Sequence, residues 1–395
     1  MKIKTVLSIA AICLGAFSCS APENKSSVDS NKELERANQQ IHVLVDRMEG
    51  NERSPKTYYA ETDSLETSRT GWWCSGFYPG SLLYLYEETG DMGLYNEALH
   101  RLTLLAKEQY NISTHDLGFM MFCSFGNANR LSPSQEYKDI LIQSAKSLST
   151  RFDPIVGCIR SWNSRPEDFL VIIDNMMNLE LLFWAAQETG DQYFYDVAVK
   201  HADTTIKNHF RPDGSSFHVV NYDPITGAVQ QRRTHQGYAD DSAWSRGQAW
   251  GLYGYTLTYR FTKDEKYLKQ AELIADYILN HPNLPEDKIP YWDFNAPNIP
   301  DALRDASAGA IISSALFELA DYTSKAKSVV YKNNAVQMLK SLADNYQATL
   351  GTNGGFIIEH GVGHFMANGE VDVPLTYADY YYIEALKRAK SWKNW

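Results

Sequence analysis

Most of the features that mark a protein's chemistry at first reading are scarce in this sequence. It has five cysteines in 395 residues. Two fall within the first nineteen positions, and Cys74, Cys123 and Cys158 are too dispersed for a disulfide framework or a zinc spacing, so three free, buried thiols are expected, with a single disulfide as the alternative. His115, His218 and His235 lack tight i, i+4 pairing, so no metal is expected. No G-x-G-x-x-G loop and no G-x-S-x-G elbow occurs, and no cofactor is implied. Positive charge is in the minority, with 37 Lys and Arg against 48 Asp and Glu and a net charge of −11. That balance argues against nucleic acid or an anionic membrane surface as partner. It does not exclude a small anionic ligand, because a few buried Arg and His residues reverse the field locally. Beyond the N-terminus there is no run long and apolar enough for a transmembrane helix.

What the N-terminus does have is an export signal. Lys2 and Lys4 precede an apolar run from Val6 to Phe17, too short to span a bilayer. It ends in Ala16-Phe17-Ser18-Cys19, which resembles a lipobox, where the Cys is lipidated after cleavage. The expectation is a signal peptide over 1–18, a polar tether over 19–31 and a catalytic domain over 32–395. The protein is then exported, either periplasmic or held to a membrane by a lipid on Cys19.

Along the mature chain a pattern recurs: an aromatic-rich apolar segment, a short turn, then an amphipathic segment. Phe77 to Glu88 and Tyr95 to Lys107 form one copy around Thr89-Gly90-Asp91. Met176 to Glu188 and Tyr195 to Lys207 form another around Thr189-Gly190-Asp191, and Gln248 to Phe261 with Tyr267 to Leu279 a third around Thr262-Lys263-Asp264. Ala308 to Tyr322 with Val330 to Tyr346, and Leu117 to Phe125 with Tyr137 to Leu148, are more diverged copies. Tyr377 to Lys390 closes the set against a helix from Asn31 to Met48. A helix apolar on all sides is buried and an amphipathic one faces solvent. Six hairpins of inner and outer helix describe an all-α fold, a single-domain α/α toroid. A short β-hairpin is expected within Ser216 to Gln231.

In such a toroid the cleft lies where the inner helices begin. Polar and aromatic residues just before each apolar segment are therefore the informative ones. They include Trp72 and Trp73, His115-Asp116, Asp174-Asn175, Trp244 to Trp250 around Arg246, Asp305, and Tyr377. Asp116 and Asp174 are isolated acids among apolar residues. Each has the plain reading of a helix N-cap, and the alternative of a carboxyl kept dry enough to serve as a general acid. Arg246 has the plain reading of a structural ion pair, and the alternative of a bidentate carboxylate ligand. The tryptophans suit either the core or a sugar face.

Three segments, H-D-L-G-F (His115 to Phe119), D-N-M-M-N (Asp174 to Asn178) and S-A-W-S-R-G-Q-A-W-G-L-Y-G (Ser242 to Gly254), carry a resemblance to the unsaturated glucuronyl hydrolases, glycoside hydrolase family 88. The resemblance extends over nearly all of the mature chain. It implies the α/α toroid and a substrate ending in a 4,5-unsaturated uronic acid, the product of a polysaccharide lyase. It also implies hydration of the C4=C5 bond in place of direct attack at the anomeric carbon. By motif, Asp174 is the general acid and base, and Asp116 the second essential carboxylate. His115, Trp73, Trp162, His218, Gln236, Arg246 and Trp250 are the substrate-binding positions, with Trp72 a substitute for Trp73. The stretch Glu359 to Phe365 lacks the serines and lysine with which some members hold sulfate. The rival readings are a rhamnogalacturonyl hydrolase acting on pectin fragments and a non-catalytic glycan-binding protein.

Overall fold

The computed structural model describes residues 28–392. The segment expected to be a signal peptide, Cys19 and most of the expected tether lie outside the described residues.

Asp29 accepts the Lys32 amide and starts α1 (Ser30–Arg47), so helix begins two residues before the expected start of the catalytic domain. Five helix pairs follow. They are α2 (Phe77–Thr89) with α3 (Met92–Leu105), then a π-helical segment (Gly118–Gly126) with α4 (Asn127–Leu131) and α5 (Gln135–Ser149). Next comes a 3-10 turn (Ile173–Asn178) running into α6 (Leu179–Thr189) with α7 (Gln192–His209). Then α8 (Ser245–Thr262) pairs with α9 (Glu265–Asn280), and α10 (Ala306–Leu319) with α11 (Lys325–Asn345). The last helix, α12 (Thr376–Ser391), packs on α1 and completes the sixth pair.

The inner members touch in a closed ring: α2, the π segment, α6, α8, α10, α12 and α2 again. The recurrent Thr-Gly-Asp is a stop-and-start device. Gly90 and Gly190 end their helices at φ of 75° and 73°, where a side chain is strained, and Asp91 and Asp191 cap the helices that follow. In the third copy Lys263 takes the same left-handed conformation without being glycine.

The strands are confined to connections. The hairpin expected within Ser216 to Gln231 is present as β6 (Val219–Tyr222) and β7 (Val229–Arg233), and β5 (Phe169–Ile172) adds to it as a third antiparallel strand. Three further two-stranded pairs had no clear sequence signal. These are β1 (Ser54–Tyr59) with β2 (Ser64–Ser68), β3 (Phe152–Asp153) with β4 (Cys158–Ile159), and β8 (Gly361–His364) with β9 (Gly369–Val373). Cys74 and Cys158 are buried free thiols and Cys123 is partly exposed, which corrects the expectation for that residue.

Candidate active site

The inner segments all run the same way, so their first turns gather at one end of the ring. Helix N-termini carry partial positive charge, and that end therefore favours a negatively charged ligand. The opposite end holds a cavity of about 720 Å³ between Tyr84, Trp184, Arg260, Glu318 and Arg388. Its charges are matched: Arg260 binds Glu180 and Glu318, and Arg388 binds Glu318 and Glu384. At the first end His115 Nδ1, Asp174 Oδ2 and His218 Nε2 are enclosed without a hydrogen-bond partner.

Asp174 sits in the 3-10 turn, and Asp116 just before the π segment. The two turns cross so closely that a Cβ on Gly118 would lie 2.3 Å from Asn178 Cα. The Phe119 amide donates to Asn178 Oδ1 at 3.0 Å across the crossing. Glycine at position 118 is what lets the two acid-bearing segments approach. Neither acid is a helix cap, since the residues preceding the two segments are Ile172 and Leu117. Asp116 Oδ2 accepts from the Thr114 hydroxyl at 2.9 Å, and its Oδ1 is 3.3 Å from His115 Nε2.

Asp174 leaves 14% of its side chain open, but its Oδ2 is enclosed with no hydrogen-bond partner. Burial drives its carboxyl up to about 7, opposed by Arg246 and assisted by the charge of Asp116. A second buried carboxyl, Asp379, is also pushed up to about 7 by burial. Its oxygens, however, accept the amides of Ile357 and Ile358. Asp379 anchors a loop, whereas Asp174 has an oxygen to spare.

His218 faces Asp174, with Nε2 3.6 Å from Oδ2. Its Nδ1 accepts the amides of His235 at 3.2 Å and Gln236 at 3.1 Å. Burial holds its pKa well below the usual imidazole value, so the ring is neutral and its proton resides on Nε2, toward the acid. Trp162 stands edge-on to His218 and to His235, with centroids 6.0 and 5.0 Å apart. Gln236 Nε2 donates to the Gly363 carbonyl at 2.9 Å, and His364 Nε2 is 2.9 Å from the His235 carbonyl oxygen. The β8–β9 hairpin is thereby tied to the loop that orients His218. His115, also neutral through burial, lies beside the Asn175 carboxamide.

Arg246 departs from the expectation of a guanidinium free to fork onto a carboxylate. It is 1% exposed. Nη1 pairs with Asp305 Oδ2 at 3.0 Å and donates to the Val362 carbonyl, and Nη2 donates to the Gly363 carbonyl. The group lies between the rings of Trp244 and Tyr377, 4.6 and 5.4 Å from their centroids. Both terminal nitrogens already hold protein acceptors, so the structural ion pair is present.

Trp250 is fully buried between Phe119 and Tyr381, with its indole N–H turned toward Asp174. Trp73 packs against Phe119 and Tyr377 at the floor of the cleft, while Trp72 is 47% exposed beside Lys56 and turns away. Of the two, Trp73 is the one packed among the aromatics of the inner segments. Asp305 and Tyr377 were visible in the sequence only as residues opening inner helices, and His235 and His364 carried no signal of their own. The contact from Arg246 to Asp305 spans 59 positions. Among the described residues no cluster of His, Cys, Asp or Glu is placed to hold a metal.

No family model matches the sequence. The chain is 45% identical over 372 residues to the unsaturated glucuronyl hydrolase of Formosa agariphila, covering 93% of this chain and 92% of that one. It is 34% identical over 373 residues to the unsaturated chondroitin disaccharide hydrolase of Streptococcus pneumoniae, covering 92% and 91%. The crystal structure of an unsaturated glucuronyl hydrolase specific for heparin superposes with a TM-score of 0.88 at 45% identity, over 93% of this chain and 98% of that one.

Proposed function

The chain belongs to the unsaturated glucuronyl hydrolases, and on that premise we propose which of its residues carry the reaction and which polysaccharide supplies its substrate. The enzyme removes the terminal 4,5-unsaturated uronic acid from lyase-generated acidic oligosaccharides. Asp174 is the acid and base. Its carboxyl, near pKa 7, gives its proton to C4 of the double bond, and positive charge develops at C5 beside the ring oxygen. Water adds at C5 and returns a proton to the Asp174 carboxylate. The hemiketal so formed opens to a ketone, C1 collapses to an aldehyde, and the leaving sugar departs with its oxygen protonated.

His218 directs its Nε2 proton toward the acid, Asp116 raises the acid's pKa and meets sugar hydroxyls, and Arg246 attracts the uronate carboxylate. Trp73 and Trp162 offer faces to the sugar C–H groups. The observation that carries this reading is the enclosed, unpartnered Oδ2 of Asp174, opposite a histidine whose tautomer is set by two backbone amides. Asp174→Asn keeps size and polarity but removes the transferable proton. The folded variant is expected to bind an unsaturated disaccharide and to lose turnover by roughly 10²–10⁴-fold, followed as decay of the ultraviolet absorbance of the conjugated bond. Turnover within a few-fold of wild type would remove Asp174 from the mechanism.

The favoured substrates are heparin-derived unsaturated disaccharides. Support comes from the greater identity to the heparin-specific structure, 45%, than to the chondroitin disaccharide hydrolase, 34%. A panel from heparin, chondroitin, hyaluronan and pectin ranks them by kcat/KM, and a higher value on any other member overturns the assignment.

A further inference from the structure

Asp305 touches three parts of the cleft wall at once. Its Oδ1 accepts the Ser307 amide at 3.1 Å and the Ser307 hydroxyl at 2.6 Å, which caps α10. The same oxygen accepts the Val362 amide at 3.3 Å, on the β8 segment whose carbonyls hold Arg246. Its Oδ2 is 3.0 Å from Arg246 Nη1. The residue is fully buried, and its negative charge lies wholly within the protein. A helix cap requires only a side-chain oxygen, and Asn supplies one about as well as Asp. The cap therefore leaves the second oxygen and the charge unexplained.

We infer that Asp305 is a positioning residue for the hydration reaction: it seats Arg246 in the cleft wall and offsets the guanidinium charge presented to Asp174. The inference rests on Asp174 being the acid. The charged and titratable groups around Arg246 are Asp305 before α10, Asp174 in the 3-10 turn, His218 before β6, Glu370 on β9 and Tyr377 on α12. Around Asp174 stand Arg246 on α8, Asp116 before the π segment, and neutral His218 before β6. In this arrangement Arg246 is the cation that draws the Asp174 proton off, and Asp305 is the acid in direct contact with that cation. An uncompensated guanidinium favours the ionised form of a neighbouring carboxyl and lowers its pKa. The sign is therefore definite. Removing the Asp305 charge moves the alkaline fall of kcat to lower pH.

The test is the pH profile of kcat on an unsaturated disaccharide for wild type, Asp305→Asn and Ser307→Ala. Asp305→Asn retains an oxygen for Ser307 and Val362 and loses the charge, together with the acceptor that faces Arg246 Nη1. Its alkaline limb is expected to fall by about half to one pH unit, with the plateau at lower pH within a few-fold of wild type. Ser307→Ala loosens the same cap with the charge intact, and its limb is expected to stay in place. A limb that does not move in Asp305→Asn, or that moves up, overturns the inference whatever the overall rate. If Asp305→Asn does not fold, Glu370→Gln removes another acid facing Arg246 without touching a cap, and its limb must also fall. A wild-type enzyme that leaves the absorbance unchanged would instead refute the proposed function, so the two failures are distinguishable.

Discussion

His218 Nε2 stands 3.6 Å from Asp174 Oδ2, on a ring whose other nitrogen is held by the amides of His235 and Gln236. The two amides fix the ring with its Nε2 proton directed toward the acid but short of hydrogen-bond contact. His218→Ala removes that N–H and leaves two amides without their acceptor. Its kcat is expected to fall by about 10–10²-fold, and its stability by about 1–3 kcal/mol. Steady-state kinetics with thermal denaturation checks both, and a variant losing stability alone would show that His218 only supports the loop.

The state of Asp174 has a consequence for stability as well as rate. Its folded pKa, about 7, is above the unfolded value near 3.8, so the folded state holds the proton longer. Nothing is gained or lost below the unfolded pKa. A penalty builds as pH rises between the two values and is complete above 7, at about 2–4 kcal/mol for a group this enclosed. Asp174→Asn is therefore expected to match wild type in Tm at pH 4 and to exceed it increasingly up to pH 7. An excess that is independent of pH would mean that the carboxyl is not perturbed.

Arg246→Lys exchanges a fork that meets Asp305 and two carbonyls for a single ammonium. At least one buried acceptor is stranded, and a loss of about 2–4 kcal/mol in transition-state binding is expected. Because these contacts also hold the β8–β9 hairpin, Tm should fall in parallel. Wild-type kcat/KM and Tm together would show the fork to be dispensable.

Gly118→Ala places a methyl group against the backbone of Asn178. Overpacking of this kind costs about 1–3 kcal/mol, and the strain falls between the segments that carry Asp116 and Asp174. A larger loss is expected in kcat than in substrate binding, read from kcat and KM on one disaccharide. An unaffected kcat would show that the spacing of the two acids is not critical.

For location, we propose that the mature protein is exported and begins at a lipidated Cys19, on the strength of the Ala16-Phe17-Ser18-Cys19 motif. Cys19→Ala should leave the membrane fraction with its turnover unchanged. Retention of the variant in that fraction would remove the lipid anchor.

Sequence by itself determined the periodic part of this protein. Apolar inner segments and amphipathic outer ones are patterns of period 3.6, and the Thr-Gly-Asp punctuation encodes its own caps, so the six-hairpin toroid was legible residue by residue. It also placed the two acids, because isolated carboxylates at the mouths of apolar segments are conspicuous. What tertiary structure decided is where charges and hydrogen bonds terminate. Whether Asp174 caps a helix or keeps a free oxygen depends on a crossing with the segment around Gly118, and the His218 tautomer depends on amides 17 and 18 positions away. Arg246 was read as open to a carboxylate because its local sequence is flanked by tryptophans. Its acceptors come from Asp305, 59 positions on, and from Val362 and Gly363, 116 and 117 positions on. Hydrogen bonding and desolvation act over a few ångströms, and local sequence pattern has no bearing on which distant segments the ring brings within that distance.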